Sequence, residues 1–169
     1  MNVNVASKSR QLPLSLPGTI GQGREDYFVG SSNEEAVSWI EGWPDQWTGV
    51  GLILYGPPKC GKTHLARVWQ HQASARWIKI AHLTEALLTE VVKNSQPLII
   101  DDADQFVPEQ EELLFHLYNH CMSVGAHLLL TASKPPRQWD MALQDLRSRL
   151  LSVPSWQSSR QRKRSCWRC

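Results

Sequence analysis

The 169-residue sequence predicts a three-layer α/β domain, in which a parallel sheet carries helices on both faces. Short apolar runs that resemble buried strands occur at residues 50–55, 98–100 and 127–131. Each run is followed by a segment in which apolar residues recur at helical spacing. The length of the chain suits one such domain with a core of its own.

The remaining elements follow from caps and from the spacing of apolar residues. A first helix is predicted after Ser31–Asn33, residue types that cap helix N-termini, and it ends near Gly42. The residues from Arg76 to Ile80 alternate imperfectly and predict a further strand. Helical periodicity predicts three more helices, from His82 to Val92, from Pro108 to Met122, and from Trp139 to Leu151. The helix that begins at Pro108 is also indicated by its early proline and by acids in its first turns.

A glycine-rich loop joins the run at 50–55 to the next helix. It reads Gly56-Pro57-Pro58-Lys59-Cys60-Gly61-Lys62-Thr63 and has the form G-x-x-x-x-G-K-T, the P-loop. Backbone amides in such a loop, together with the helix N-terminus, bind phosphate oxygens. We expect Lys62 to reach the outer phosphates and the Thr63 hydroxyl to ligate Mg²⁺. The sequence therefore predicts a nucleoside triphosphate site, which extends to His64 at the start of the helix.

Two acids end the apolar run at 98–100. We expect Asp101 to hold Mg²⁺, and Asp102 to orient or deprotonate the water that attacks the γ-phosphate. This interpretation gains weight because the pair follows a strand-like run 38 residues after Thr63. After the run at 127–131, Thr131 or Ser133 could hydrogen-bond the γ-phosphate, although a simple capped strand end explains the same residues.

Composition narrows the remaining function classes. The net charge of +2 is too small to indicate nucleic-acid binding, and five of the basic residues fall within the last ten positions. No apolar run approaches the ~20 residues of a membrane helix. With no secretory signal and no cysteine framework, a cytoplasmic location is expected. His116 and His120 are spaced i, i+4, but without further ligands they predict ordinary helix residues rather than a metal site.

Several segments together resemble the DnaA/Hda family of AAA+ ATPases, over about residues 11–153. They are Gln11-Leu12-Pro13-Leu14, residues 28–33, residues 55–65, Leu98 to Asp102, residues 130–133, and residues 145–150. The short regulators of the Hda type, which lack the DNA-binding domain of the initiator, are the most similar members. The resemblance implies ATP or ADP with Mg²⁺ as cofactors and leaves a weak ATPase activity open.

The resemblance also implies roles that spacing alone does not give. From the residues alone, the apolar peptide at 11–17 could enter a partner's pocket or pack on the domain itself. The family implies that Gln11, Leu12, Leu14 and Leu16 bind the sliding clamp. It further places Val29, Gly30 and Asn33 near the adenine, Ser133 at the sensor-1 position, and Arg149 as the arginine finger. The initiator tends to have an acid at sensor 1, so the phosphate contact of Ser133 is expected to differ.

The end of the sequence departs from the family. After the arginine finger an AAA+ module continues into a helical lid, whereas residues 154–169 form a basic stretch that ends in Cys166-Trp167-Arg168-Cys169. Codons for this stretch can be chosen so that an adjacent frame reads VAIEPPKEEELLAV, which resembles a strand and an acidic lid helix. We hypothesise a frameshift near residue 155. Phosphate binding by the arginines, or zinc or redox chemistry at the C-x-x-C, are weaker readings.

These inferences give an expected organisation and function. Residues 1–20 form a flexible segment with the clamp-binding peptide, residues 21–153 form the nucleotide-binding domain, and residues 154–169 form an aberrant, disordered tail. The expected function is regulation of replication initiation, in which the chain binds the sliding clamp and promotes hydrolysis of ATP bound to the initiator DnaA. A homo-oligomer is compatible with this reading, and neither a DNA-binding domain nor a membrane is expected. The alternatives are a nucleotide-gated binding module without catalysis and a fragment of an initiator or helicase loader.

Overall fold

The structure, a computed structural model, describes residues 34–47, 49–94, 96–106 and 108–158. In chain order the regular elements of this part are α1 (Glu34–Glu41), β1 (Gly51–Tyr55), α2 (Lys62–Ala73), β2 (Arg76–Lys79), α3 (Glu85–Asn94), β3 (Leu98–Asp101), α4 (Pro108–Val124), β4 (Leu128–Ala132), α5 (Gln144–Ser152) and β5 (Ser155–Gln157). None of the helices in these ranges has the length and apolarity that a membrane span requires.

The five strands form one parallel sheet in the order β2-β3-β4-β1-β5. Strand β4 therefore lies between β1, which leads into the P-loop, and β3, which ends in the acids. The carboxyl ends of parallel strands share one edge of the sheet, and ligands bind at that edge in open α/β folds. The topology thus brings the two predicted phosphate-site segments to the same edge.

Helices cover both faces of the sheet, as the sequence predicts. On one face α1 and α2 pack against the sheet through fully buried side chains such as Ile40, Leu65 and Trp69. On the other face α3, α4 and α5 contribute Val91, Leu114 and Leu146 to the larger core cluster. The central strands β3 and β4 are buried throughout, which explains why their sequences read as continuous apolar runs. The predicted three-layer α/β class is confirmed.

Two helices begin later than the periodicity predicts. Helix α3 begins at Glu85 rather than His82, because residues 80–82 form a 3₁₀ turn and the Thr84 hydroxyl accepts a hydrogen bond from the Leu87 N–H at 3.3 Å. The stretch from Trp139 to Leu143 is not helical. The Trp139 indole N–H donates a hydrogen bond to the Lys134 carbonyl at 2.8 Å, which holds Trp139 against the preceding loop, and α5 begins only at Gln144.

Strand β5 lies within residues 154–169, which the sequence analysis assigns to a tail beyond the domain. Ser155–Gln157 pairs with β1, and the Ile53 N–H donates to the Pro154 carbonyl at 2.9 Å. Trp156 packs against the α1–α2 cluster, and its indole N–H donates to Glu35 at 3.1 Å. Backbone pairing and one large apolar side chain therefore extend the ordered domain to Ser158. Residues 159–169 lie outside the described residues.

Candidate functional site

The loop between β1 and α2 depends on three residues with positive φ. The φ angles are 148° at Gly56, 63° at Lys59 and 99° at Gly61. Positive φ is inexpensive for glycine and costly for most other residues. Gly61 precedes the helix, and its carbonyl accepts the first hydrogen bond of α2, from the Leu65 N–H at 3.0 Å. The loop thus turns sharply into a helix N-terminus.

The backbone amides from Lys59 to Thr63 form a set of five donors at the start of α2. None of these five N–H groups donates a hydrogen bond to another described residue. They stand at the N-terminus of α2, where the helix dipole adds positive potential. Consecutive free amides beside left-handed residues make an anion-binding cradle. This is the feature that the G-x-x-x-x-G-K-T pattern predicts.

The side chain of Lys62 folds back along the loop. Its ammonium donates to the carbonyls of Gly56 at 2.8 Å and Pro57 at 3.1 Å, and it lies 3.6 Å from the Cys60 sulfur. The positive charge therefore lies against the same loop that carries these amides. Thr63 is exposed on the first turn of α2, and His64 beside it is partly buried.

Gly56 is required by the segment that follows β5. A Cβ at this position would come within 2.2 Å of the Ser158 carbonyl oxygen. The buried Ser158 also donates its N–H to the Tyr55 carbonyl and its hydroxyl to the Cys60 carbonyl, each at 2.7 Å. The end of the described chain therefore packs directly against the P-loop and restrains it.

At the end of β3, the carboxylate of Asp101 is held by its neighbour in β4. The buried Thr131 hydroxyl donates to Asp101 Oδ1 at 2.5 Å and accepts the Asp102 N–H at 3.1 Å. One hydroxyl therefore fixes both predicted acids. Sequence reasoning left Thr131 or Ser133 open as a phosphate contact; in the structure Thr131 is committed to the acids.

Asp102 lies just beyond the strand in the left-handed region, with φ 57° and ψ 39°. Partial burial, and then the nearby carboxylate of Asp101, raise the pKa of Asp102 above its ordinary value. A strained acid with a raised pKa has properties that a proton acceptor at a hydrolytic site requires.

Asp104 is a positioning residue that sequence reasoning missed. Its Oδ2 accepts the N–H groups of Ser133 at 2.9 Å and Lys134 at 3.1 Å. The carboxylate therefore ties the loop after β4 to the turn after β3, and the Ser133 side chain remains exposed. The only signal in the sequence was a third acid close to the pair.

These segments meet at one edge of the sheet. The Gly56 N–H donates to the Ala132 carbonyl at 3.2 Å, and Thr131 joins the same strand to Asp101. The described residues contain no group of three or more His, Cys, Asp or Glu side chains placed to hold a metal. A hydroxyl and a carboxylate, as at Thr63 and Asp101, are nonetheless the partial oxygen set that Mg²⁺ uses when phosphates and water supply its other ligands. The chemistry of these residues fits Mg²⁺ with a nucleotide.

Arg149 lies apart from this cluster, near the end of α5. Its guanidinium carbon is 5.3 Å from the ring centre of Phe115 and 5.8 Å from that of Tyr118, both on α4. Within the described ranges it forms no ion pair with a carboxylate. No hydrogen bond or ion pair there joins it to the P-loop of its own chain.

Other predicted site residues fall outside the described residues. They are the clamp-binding set Gln11, Leu12, Leu14 and Leu16, the adenine set Val29, Gly30 and Asn33, and the cysteines Cys166 and Cys169.

Comparisons with known proteins agree with this architecture. The family model described as ATPase family associated with various cellular activities (AAA) matches residues 52–154. The chromosomal replication initiator protein DnaA of Bacteroides thetaiotaomicron is 30% identical over 155 residues, covering 78% of this chain and 32% of the relative. The chain thus spans about a third of the length of the curated relatives that it matches first.

Solved structures show the same fold. AMPPCP-bound DnaA from Aquifex aeolicus superposes with a TM-score of 0.68 at 17% identity, over 80% of this chain and 48% of that chain. The DnaC helicase loader superposes with a TM-score of 0.60 at 16% identity, over 80% of this chain and 95% of that chain. The family model, taken with the P-loop and the acid pair, leads to one conclusion: the chain belongs to the ATPase family associated with various cellular activities (AAA).

Proposed function

We propose that the chain binds an adenine nucleotide, ATP or ADP, together with Mg²⁺, at the carboxyl edge of its sheet. The single observation that carries this proposal is that none of the five amides from Lys59 to Thr63 donates a hydrogen bond to another residue of the described ranges. They are joined by the Lys62 ammonium, which can exchange its loop carbonyls for phosphate oxygens. Phosphate oxygens carry a negative charge that the loop carbonyls lack, so coulombic attraction lets phosphate compete well for this lysine.

The chain's own residues divide the work at this site. Thr63 and Asp101 hold Mg²⁺, which when bound neutralises charge on the phosphates. Asp102 orients the attacking water and accepts its proton, and Thr131 keeps both acids in place. Asp104 fixes the loop that presents Ser133. The arrangement supports a slow ATPase whose full activity requires a further cationic group.

We infer that the chain regulates replication initiation by supplying such a group to another protein. Arg149 has no carboxylate partner among the described residues, and its guanidinium makes cation–π contacts with the rings of Phe115 and Tyr118. An arginine supplied in trans to a γ-phosphate can raise the hydrolysis rate by about 10³- to 10⁵-fold. We propose that Arg149 completes the site of an ATP-bound initiator of the DnaA type, while residues 11–16 bind the sliding clamp in the cytoplasm.

The test measures phosphate release from ATP-bound initiator, with a DNA-loaded clamp and this chain present. Arg149→Ala should abolish the stimulation. Arg147→Ala is the matched control on the same helix and should retain it. Equal stimulation by both variants would exclude the arginine-finger role. A clamp pull-down of Gln11→Ala against the unaltered chain tests the peptide, and undiminished capture of the variant would exclude it.

A helicase loader is the second candidate, because the fold also superposes on the solved chain of the DnaC helicase loader. A loader should bind the replicative helicase and single-stranded DNA, and it should do so without the clamp. A third reading, a nucleotide-gated module without catalysis, predicts saturable nucleotide binding and no phosphate release, with or without the initiator.

A further inference from the structure

We propose that Phe115 is a positioning residue for Arg149, and that the aromatic face of α4 presents the guanidinium to a phosphate on a second protein. This inference rests on the proposed function, because it assigns Arg149 its task there. It adds what the sequence pattern does not contain, namely how one chain holds a cation ready for another chain's site.

The geometry begins with one stripe on α4. Glu111, Phe115 and Tyr118 are spaced i, i+4 and i+7, so they lie on one face of the helix. All three contact α5 or the turn that opens it. The buried Glu111 carboxylate accepts the Leu143 N–H at 2.9 Å, and the two rings flank Arg149. This stripe is therefore the surface on which α5 rests.

The segments of α4 and α5 that contact each other have similar lengths. From Leu143 to Arg149 α5 rises about 9 Å, and from Glu111 to the midpoint between the two rings α4 rises about 8 Å, at ~1.5 Å per residue. Both helices run against the same parallel strands, so they point in the same direction. Because Glu111 fixes the position of the first residues of α5, the side chain of Arg149 lies at the same height as the two rings. The carboxylate sets the register, and the rings receive the side chain.

The type of contact matters for transfer to a phosphate. An aromatic face binds the guanidinium through its charge, within the ~6 Å limit of a cation–π contact, and consumes none of its five N–H donors. A carboxylate partner would occupy the same donors that a phosphate needs. Phe115 is only partly buried, so one side of this assembly is open to a partner, whereas Tyr118 belongs to the core.

Phe115 is the residue to vary, because substitutions at the buried Tyr118 would damage the core. Phe115→Leu keeps an apolar side chain and removes the π face, and Phe115→Met is a second ringless variant. Phe115→Tyr restores the ring and is the rescue variant. Folding midpoint and nucleotide affinity of each full-length variant serve as controls, since a contact that only stabilises α4 would change the first of these.

The readout is phosphate release from ATP-bound initiator with loaded clamp. We expect the ringless variants to lower the rate at saturating regulator by about 3- to 30-fold, the range for losing one cation–π contact. The concentration that gives half-maximal stimulation should not change, and Phe115→Tyr should act as the unaltered chain.

Two results would overturn the inference: an unchanged rate in both ringless variants, or a faster rate. Failure of the proposed function has a different outcome. In that case the unaltered chain would not stimulate the initiator, or Arg149→Ala would stimulate it fully.

Discussion

Thr131→Val removes one hydroxyl and leaves the shape of the side chain unchanged. In the structure this hydroxyl makes two hydrogen bonds, one donated to the Asp101 carboxylate and one accepted from the Asp102 N–H. Thr131 is 1% exposed and Asp101 9% exposed, so water has little access to the groups left behind. The substitution therefore isolates the contribution of β4 to the acid pair.

The two lost contacts set the size of the effect. A hydrogen bond to a charged group contributes about 1.5–3 kcal/mol and a neutral one about 0.5–1.5 kcal/mol. The added methyl group returns about 0.8 kcal/mol of apolar burial. We expect Thr131→Val to lower the free energy of unfolding by about 2 kcal/mol. Thr131→Ser keeps the hydroxyl and loses a buried methyl, which costs about 1 kcal/mol.

Urea unfolding of the unaltered chain and both variants measures these differences. The same proteins are titrated with Mg²⁺ and ATP, because Asp101 without its hydrogen bond should hold the metal less well. If Thr131→Val proved as stable as Thr131→Ser and bound nucleotide equally well, Thr131 would not hold the acids and this part of the site would be wrong.

Three further predictions concern the same edge of the sheet. Asp102→Asn should abolish phosphate release and raise stability by about 1 kcal/mol, because it removes a partly buried charge in a left-handed position that asparagine tolerates. Because the pKa of Asp102 is raised in the folded chain, ionisation of this carboxyl group opposes folding. The stability gained in Asp102→Asn should therefore be complete at a pH above the folded-state pKa and absent at a pH below the ordinary carboxyl pKa, as urea unfolding at several pH values would show. Asp104→Ala should slow phosphate release and cost about 1 kcal/mol, because it removes two hydrogen bonds whose exposed amide donors, those of Ser133 and Lys134, can turn to water instead; an unaltered rate would exclude its positioning role. Gly56→Ala should abolish nucleotide binding in a titration, since its Cβ would lie 2.2 Å from a carbonyl oxygen at a φ of 148°; normal affinity would show that the loop tolerates the shift.

The sequence predicted the fold well where local chemistry and burial agree. Strands β3 and β4 are buried on both faces, so their sequences had to be apolar and were recognisable as strands. The P-loop was predicted because its glycines, lysine and threonine occur at a fixed spacing along the chain, which a short sequence motif records directly. These features depend on near neighbours in the chain.

The remainder depends on contacts between distant residues. The late start of α5 follows from Glu111 and from the Trp139 indole, which act across 32 and 5 residues respectively. Asp104 binds a loop 29 residues away, and Trp156 of β5 reaches Glu35 over 121 residues. The spacing of apolar residues along the chain does not indicate such long-range contacts. The pairing of β5 and the positioning role of Asp104 could therefore not be predicted. The arginine-finger role of Arg149 came from family resemblance and stays a prediction.

Nucleotide binding by the P-loop is the claim on which the account depends, and a titration of the folded chain with a fluorescent ATP analogue and Mg²⁺ measures it. The unaltered chain should show saturable binding at one site, as should the control Lys93→Ala on α3. Lys62→Ala should weaken binding by at least about 10-fold, because it removes a charge-assisted contact to phosphate. No saturable binding by the folded chain, or equal affinity in Lys62→Ala, would contradict the account.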